Sequence, residues 1–353
     1  MPATAHVDTF ARDRLPAREQ WPQLIFDLPQ LHYPERLNCA GELLDKAVAA
    51  GGGERPALHF GGDVWTYRDL LDRASRIAHV LVRDMGLVPG NRVLLRGANT
   101  PMMAACWLAV MKAGAIAVTT MPLLRAAELV HVVNKAQISH CLCDRELAAE
   151  LDRALPECPS LREIEFFRDP EQGLEARMAG APAEFANVDT AADDICLIAF
   201  TSGTTGLPKG TMHFHRDVMA ICDCFPRSIL KPEPDDIFCG TPPFAFTFGL
   251  GGLLLFPLRF GASAVLAEKL DAAGLLQLIQ DYRATLCFTA PTSYRAMAER
   301  VPAYDLRSLR KCVSAGEMLP ASTRRLWRET TGIDLIDGIG STEMLHIFIS
   351  AAG

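Results

Sequence analysis

Between Thr201 and Gly210 the chain reads Thr-Ser-Gly-Thr-Thr-Gly-Leu-Pro-Lys-Gly, which gathers four hydroxyl side chains, three glycines and one lysine in ten residues. Phosphate oxygens need such surroundings. Glycines permit positive φ and let backbone N–H groups approach an anion closely, while Ser and Thr hydroxyls and a lysine ammonium add donors and charge. The preceding run, Ile195-Cys196-Leu197-Ile198-Ala199-Phe200, is apolar throughout and predicts a buried strand, so the segment is a donor-rich turn at a strand end. It is not the P-loop of kinases and GTPases. Pro208 precedes Lys209, and Gly210 follows it where that motif needs Ser or Thr for Mg2+. The dinucleotide fingerprint G-x-G-x-x-G fails on spacing as well.

Four further segments carry candidate chemistry: Thr241-Pro242-Pro243-Phe244, Thr289-Ala290-Pro291-Thr292, Ser314-Ala315-Gly316-Glu317, and Gly338-Ile339-Gly340-Ser341-Thr342-Glu343. Each follows an apolar, strand-like run. Strands are predicted near 195–200, 236–240, 263–267, 285–289, 310–314 and 333–336, with helical stretches between them. Ligands in such sheets sit outside the carboxyl ends of strands, so five strand ends are expected to converge on one cleft.

The first half alternates in the same way. Leu70, Leu71, Ala74, Ile77, Ala78 and Leu81 recur at helical spacing after a capped start at Thr66. Strand-like 92–96, helix-like 100–112, strand-like 115–119, helix-like 126–135 and strand-like 139–143 then predict βαβ units with a parallel sheet. A Pro-, Ala- and acid-rich stretch over 155–194, broken by a short apolar run at 164–167, is read as the connection between two lobes. Pro101 to Pro122 approaches the length of a membrane span, but Lys112 and Gly114 split it into a helix and a strand.

Composition narrows the function. A chain of 353 residues, 49% hydrophobic, can bury a large core, and a net charge of −7 offers no basic field for nucleic acid. Eleven cysteines, odd in number and without a framework, fit a reduced cytoplasm better than a disulfide scaffold. Cys141-x-Cys143 and Cys222-x-Cys224 lack zinc-ribbon spacing and read as buried apolar thiols. His213-x-His215, expected at the start of a helix after the loop, receives no metal assignment. No secretory signal is expected at the N-terminus.

The 201–210 segment resembles the phosphate loop of the adenylate-forming superfamily: acyl-CoA synthetases, luciferases and peptide-synthetase adenylation domains. Gly-Ile-Gly-Ser-Thr-Glu at 338–343 resembles that superfamily's second signature, and it stands with Ser-Ala-Gly-Glu at 314–317 in the family's order and approximate separation. The resemblance implies ATP, Mg2+ and coenzyme A. It implies that Thr201, Ser202, Gly203, Thr204, Thr205 and Gly206 hold the nucleotide, with Lys209 and Thr342 acting on its phosphates and Glu343 coordinating Mg2+. It further implies that Ala315, Gly316 and Glu317 wall the adenine pocket, with Gly338, Ile339 and Gly340 completing the nucleotide contacts.

Ile339 replaces the tyrosine of many relatives, as in the benzoate-CoA ligase branch, whose Gly-Ile-Gly-Ser-Thr-Glu-Met-Leu-His-Ile-Phe run is similar to residues 338–348. Residues 241–252 and 287–292 are similar to the 2-aminobenzoate-CoA ligases in particular. Peptide-synthetase domains carry an Asp in the segment equivalent to 241–252 to pair an amino acid's ammonium, whereas no acid occurs there in this chain. Phe246, Phe248 and Ile339 offer an apolar slot for a flat ring, with Ala290 and His346 in the same substrate set. These phenylalanines are equally readable as core.

The implied fold is α/β, with two mixed or parallel sheets flanked by helices, as in an adenylate-forming large domain. A first subdomain is expected over 1–190 and a second over 191–353. The family continues beyond this point to a ribose-binding Asp, a hinge and a small domain bearing the adenylation lysine, so a truncated large domain is expected. A nucleotide- or aryl-acid-binding module without catalysis is the alternative, and a carrier-protein thiol is the alternative acceptor to CoA. The preferred ring acid and the oligomeric state are left open.

Overall fold

A computed structural model describes residues 3–201 and 208–351. Its fourteen strands, in chain order among the described residues, are β1 (Pro56–Phe60), β2 (Asp63–Thr66), β3 (Arg92–Arg96), β4 (Ile116–Thr120), β5 (His140–Asp144), β6 (Glu163–Phe167), β7 (Ile195–Phe200), β8 (Gly210–Phe214), β9 (Ile237–Gly240), β10 (Ser263–Val265), β11 (Leu286–Thr289), β12 (Lys311–Ser314), β13 (Leu335–Gly340) and β14 (Ile347–Ser350). They form a six-stranded sheet, β6-β5-β3-β4-β7-β8, and an eight-stranded sheet, β14-β13-β12-β11-β9-β10-β1-β2. Both interiors are parallel, and β8, β2 and β14 close edges in antiparallel fashion. β3, β4 and β5 are buried along their whole length, as parallel strands covered on both faces must be.

The helix Pro101–Lys112 and strand β4 occupy the long apolar stretch, and among the described residues no helix is long and apolar enough to cross a membrane. Lys112 is fully buried, and its ammonium is satisfied 2.6 Å from Asp45 Oδ1. The helix Ala126–Ala136 starts where Glu128 accepts the Arg125 backbone N–H at 2.9 Å, and it buries Leu129, Val132, Val133 and Ala136 in the core beside Leu94 and Val118.

The chain divides into two compact units, one of Met1–Lys46, Asp69–Gly97 and Met102–Ala220, the other of Ala47–Arg68, Ala98–Pro101 and Ile221–Gly353. This differs from the division expected at 190/191. β7 pairs with β4 and β8 with β7, so the strand expected to open the second lobe completes the first sheet. The apolar run at 164–167 likewise belongs to a strand, β6 beside β5, instead of a connection. β1 and β2, from a stretch for which no element was expected, extend the eight-stranded sheet, β1 pairing with β10 and β2 with β1. His213 lies in β8, so only His215 opens the following helix, His215–Asp223. Cys141, Cys143 and Cys222 are buried as expected, whereas Cys224 is exposed.

In the eight-stranded sheet the amino ends of three neighbouring strands are tied by one carboxylate. Asp236 receives Arg310 through both oxygens, Thr285 Oγ1 at 2.7 Å and the Glu233 backbone N–H at 2.7 Å. Further along, Tyr294 Oη donates within reach of the Cys287 carbonyl at 2.9 Å and the Val313 carbonyl at 3.1 Å, and its ring meets Trp327 edge-on at 4.9 Å. These contacts hold β9, β11 and β12 in one register.

Four phenylalanines, Phe225, Phe248, Phe256 and Phe288, surround His346 with ring centroids 4.5 to 6.4 Å away. A Cβ at Gly251 would lie 2.4 Å from the imidazole, so only glycine admits the ring here. Burial in this box lowers the His346 pKa from 6.5 to about 3, so the folded group is neutral. The unfolded chain therefore takes up a proton first as pH falls below 6.5, and stability is lost from there down to about pH 3. Above that window this contribution is constant. We expect denaturant-unfolding free energies to carry an acid slope of about 1.4 kcal/mol per pH unit from this histidine. His346→Gln should remove that share, and equal acid slopes in the two proteins would contradict a buried neutral imidazole.

Candidate active site

Four of the five strand ends singled out in the sequence lie side by side. β13, β12, β11 and β9 are consecutive and parallel, with Ser314 paired to Asp337, Thr289 to Ser314, and Phe288 to Gly240. The fifth, β7, belongs to the other sheet. At this edge the Thr241 and Thr289 hydroxyls are 2.6 Å apart, and the Thr241 N–H donates to the Phe288 carbonyl at 3.2 Å. Ser314 is fully buried beside them, and Ala315 is buried just beyond the end of β12.

After Ala315 the chain turns into solvent. Gly316 has φ +88°, a left-handed conformation that side-chain-bearing residues rarely adopt, and Gly316 and Glu317 are both exposed. Thr292 Oγ1, in the helix Pro291–Ala298 that follows Ala290, lies 3.5 Å from Glu317 Oε1. Ala290 itself is half-buried at the helix start.

The second signature does not begin after its strand, as expected from an end at 336. β13 continues through Gly338, Ile339 and Gly340 because β14 pairs with it, Gly338 opposite Ser350 and Ile339 opposite Ile349. Ile339 is 58% exposed, so it is available to a ligand and is not core. Thr342 is half-buried and Glu343 exposed in the turn that joins the two strands. The Glu343 carboxylate has no hydrogen bond or ion pair among the described residues. A free, hard oxygen donor of this kind suits Mg2+.

The loop that leads into the helix Thr247–Leu250 is shaped by Asn99. Its Nδ2 donates to the Pro242 carbonyl at 2.9 Å and its Oδ1 accepts the Phe244 N–H at 2.8 Å. The polar Asn99-Thr100 pair ahead of an apolar helix was the available signal for this residue. Phe246 is 45% exposed, while Phe248 is half-buried against Phe288 at 5.8 Å. Behind Phe248, His346 Nε2 stands 3.2 Å from the Phe248 carbonyl, which can only accept, so this nitrogen carries the hydrogen. Nδ1 is then a lone-pair acceptor, buried and without a partner among the described residues.

In the other unit, β7 and β8 form the antiparallel pair that brackets the hydroxyl-rich segment, with Phe200 opposite Gly210. The pairing extends one step further. Thr201 N–H donates to the Lys209 carbonyl at 2.9 Å, and the Lys209 N–H reaches Thr201 Oγ1 at 3.3 Å. His131 adds an anchor that the sequence did not reveal, its Nε2 lying 3.0 Å from the Pro208 carbonyl and its ring meeting Phe200 edge-on. Lys209 is exposed. Ser202, Gly203, Thr204, Thr205 and Gly206 lie outside the described residues.

Comparison with known proteins gives the family and agrees with the fold. The chain is 32% identical to the benzoate–CoA ligase of Thauera aromatica over 91% of its own length and 62% of that enzyme's. It is 31% identical to a 4-hydroxybenzoate–CoA/benzoate–CoA ligase of Rhodopseudomonas palustris, over 89% and 59% respectively. A crystal structure of an anthranilate CoA ligase in complex with anthranoyl-AMP superposes with a TM-score of 0.86 at 29% identity, over 92% of this chain and 63% of that one. A benzoate CoA ligase from Burkholderia xenovorans gives 0.81 at 27% identity, over 90% and 63%. The chain thus spans about three fifths of the length of these relatives. The model of the AMP-binding enzyme family matches residues 44–352, so two sheets, a bracketed hydroxyl loop and a Gly-Ser-Thr-Glu turn together have a plain meaning: this chain belongs to the AMP-binding, adenylate-forming enzymes.

Proposed function

We propose that the protein activates an aromatic carboxylic acid of the benzoate or 2-aminobenzoate type with ATP, forming an aroyl-adenylate and then a CoA thioester. The observation that carries this reading is the carboxyl edge of β9, β11, β12 and β13. It presents Phe246 and Ile339 to solvent, backs them with the aromatic box around His346, and has no acidic side chain in residues 241–252. An amino-acid ammonium would be left unpaired there, whereas a flat ring finds apolar contact on both faces.

In the first step a carboxylate oxygen of the acid forms a bond to the α-phosphorus of ATP as the bond from that phosphorus to the β-phosphate oxygen breaks, and pyrophosphate leaves. In the second the CoA thiolate attacks the acyl carbon and AMP leaves with the bonding pair. No side-chain nucleophile takes part, so the protein's work is positioning and charge neutralisation. The donors of Thr201 to Gly206 and the ammonium of Lys209 hold phosphate oxygens, and Thr342 contacts the α-phosphate. Ala315, Gly316 and Glu317 flank the adenine, and Gly338, Ile339 and Gly340 give the nucleotide a flat backbone wall. Glu343 would hold Mg2+, which when bound neutralises phosphate charge.

Phe246, Phe248, Ala290 and Ile339 define the ring slot, and Asn99 fixes the loop that carries Phe246. His346 Nδ1 is the acceptor for an amino hydrogen at the ring's 2-position. Similarity to an enzyme crystallised with anthranoyl-AMP supports that choice of ring acid, and similarity to benzoate–CoA ligases supports the acid class.

Two measurements on the 353-residue chain test the reading. Addition of ATP with Mg2+ should raise the melting temperature, since a ligand specific to the native state stabilises it by about 2.7 kcal/mol at a hundredfold excess over Kd. Glu343→Gln should weaken this binding by about tenfold, equivalent to about 1.4 kcal/mol, and unchanged affinity would remove Glu343 from the metal role. Non-hydrolysable aroyl-adenylate analogues supply the second. Wild-type protein should favour the 2-aminobenzoyl over the benzoyl analogue, and His346→Phe should erase about five- to tenfold of that preference, the worth of one hydrogen bond. A preference that survives intact would place the ring's substituent elsewhere.

A further inference from the structure

A cavity of about 540 Å³ in the six-stranded unit is lined by the amino-terminal segment over 18–35, by Ala192 and Asp193 just before β7, and by Arg216 in the helix that follows β8. It takes no part in the proposed reaction. Aromatic faces hold Arg216 in place. Its guanidinium carbon is 5.0 Å from the Phe214 ring centroid and 5.8 Å from that of Phe26, Phe214 stacks on Trp21 at 5.5 Å, and Arg18 lies over Trp21 at 4.9 Å. Rings bind a guanidinium by its flat face and leave its N–H edge unspent. Among the described residues the Arg216 side chain makes no hydrogen bond, its Nε is buried without a partner, and its one ion pair, to Asp217 Oδ1, is long at 3.9 Å.

The opposite charge on the same cavity is also unspent. Asp193 is 6% exposed, its Oδ1 is buried without a partner, and its carboxylate forms neither a hydrogen bond nor an ion pair among the described residues. A buried carboxylate left so is costly. Its neighbour Asp194 shows the ordinary remedy, accepting the Ala5 and Ala191 backbone N–H groups, both at 2.9 Å. The main chain around Asp193 is fixed, since the Ala192 N–H donates to the Glu35 carbonyl at 2.8 Å and the Ala192 carbonyl accepts the Arg216 N–H at 3.0 Å. Asp193 and Arg216 are therefore joined through Ala192 by their backbones, yet their side chains line one cavity without pairing with each other.

We propose that this cavity binds a free α-amino acid with an apolar side chain, its carboxylate on Arg216 and its ammonium on Asp193. Two cations, Arg18 and Arg216, and two carboxylates, Glu35 and Asp193, line the space, so a ligand with one charge of each sign fits it better than a net ion. A carboxylate matches the planar fork of a guanidinium, and an ammonium supplies the donors that Asp193 lacks. Phe26 and Leu31 offer apolar surface to the side chain. A plain carboxylate would leave Asp193 unpaired, and a plain amine would leave Arg216 so.

Titration calorimetry of the full 353-residue chain with single apolar L-amino acids, leucine and phenylalanine among them, is expected to show saturable binding of one molecule per chain. Phenylpropanoate and phenylethylamine, which each lack one of phenylalanine's two charges, should bind about tenfold more weakly or worse. Asp193→Asn should weaken phenylalanine binding by about tenfold and yet raise the melting temperature of the ligand-free protein, because it removes an unpaired carboxylate. Arg216→Lys keeps the charge, loses the fork and should weaken binding to a similar degree. Should that variant not fold by circular dichroism, Asp193→Asn and the two half-ligands decide. No binding by any apolar L-amino acid, half-ligands that bind as tightly as phenylalanine, or unchanged affinity in folded Asp193→Asn would each overturn the proposal. None of these readouts depends on ligase turnover.

Discussion

The in-register parallel pairing of β9, β11, β12 and β13 is the constraint on which the segments proposed to hold the ring and the nucleotide depend. Side chains alternate faces along a strand, so a slip of one residue would turn every side chain over and carry Thr241, Thr289 and Ser314 away from one another. Asp236 opposes such a slip at the amino ends by joining Arg310 and Thr285. Tyr294 opposes it further along by bridging the Cys287 and Val313 carbonyls. Removing either partner of the Asp236 pair would strand a charge at a mostly buried position, which is why this lock is expensive to break.

On that frame the site combines two opposite surroundings. The Gly-Ser-Thr-Glu turn is open, polar and carries a carboxylate without a partner among the described residues, as phosphate and metal chemistry require. Behind Phe248 the surroundings are aromatic and dry enough to hold His346 neutral far below the usual histidine range. A neutral imidazole that spends its one hydrogen on a backbone carbonyl presents a fixed acceptor. This polarity comes from the tautomer, and the tautomer comes from the Phe248 carbonyl.

The six-stranded unit solves a different problem, that of tethering a glycine-rich segment at both ends. Antiparallel pairing of β7 with β8 does this with its backbone ladder, and the Thr201–Lys209 contacts, one of them to the Thr201 hydroxyl, carry the ladder to the foot of the segment. His131 then clamps Pro208, a residue with no N–H of its own to donate, through its carbonyl. An edge position for β8 is suited to this, since a central strand would place neighbours on both sides of the turn.

The family, from its two signature segments, and the alternation of strands and helices were legible in the sequence because each is a local signal. Turn chemistry acts over a few residues and periodicity over ten or so. Strands at 92–96 and 237–240, and the helices that follow Thr66 and Thr100, accordingly fall within a residue or two of expectation. Which sheet a strand joins is not local. β7 reads the same whether it opens a second lobe or completes the first, and only its pairing with β4 decides. The extension of β13 through Gly338-Ile339-Gly340 likewise depends on β14, a partner that a run containing two glycines does not announce. Asn99, His131 and the box around His346 were hidden for the same reason. Phe26 and Arg216 are far apart in the chain, so the sequence determined that a ring and a guanidinium exist, and only the packing of separately fixed elements brought them to 5.8 Å.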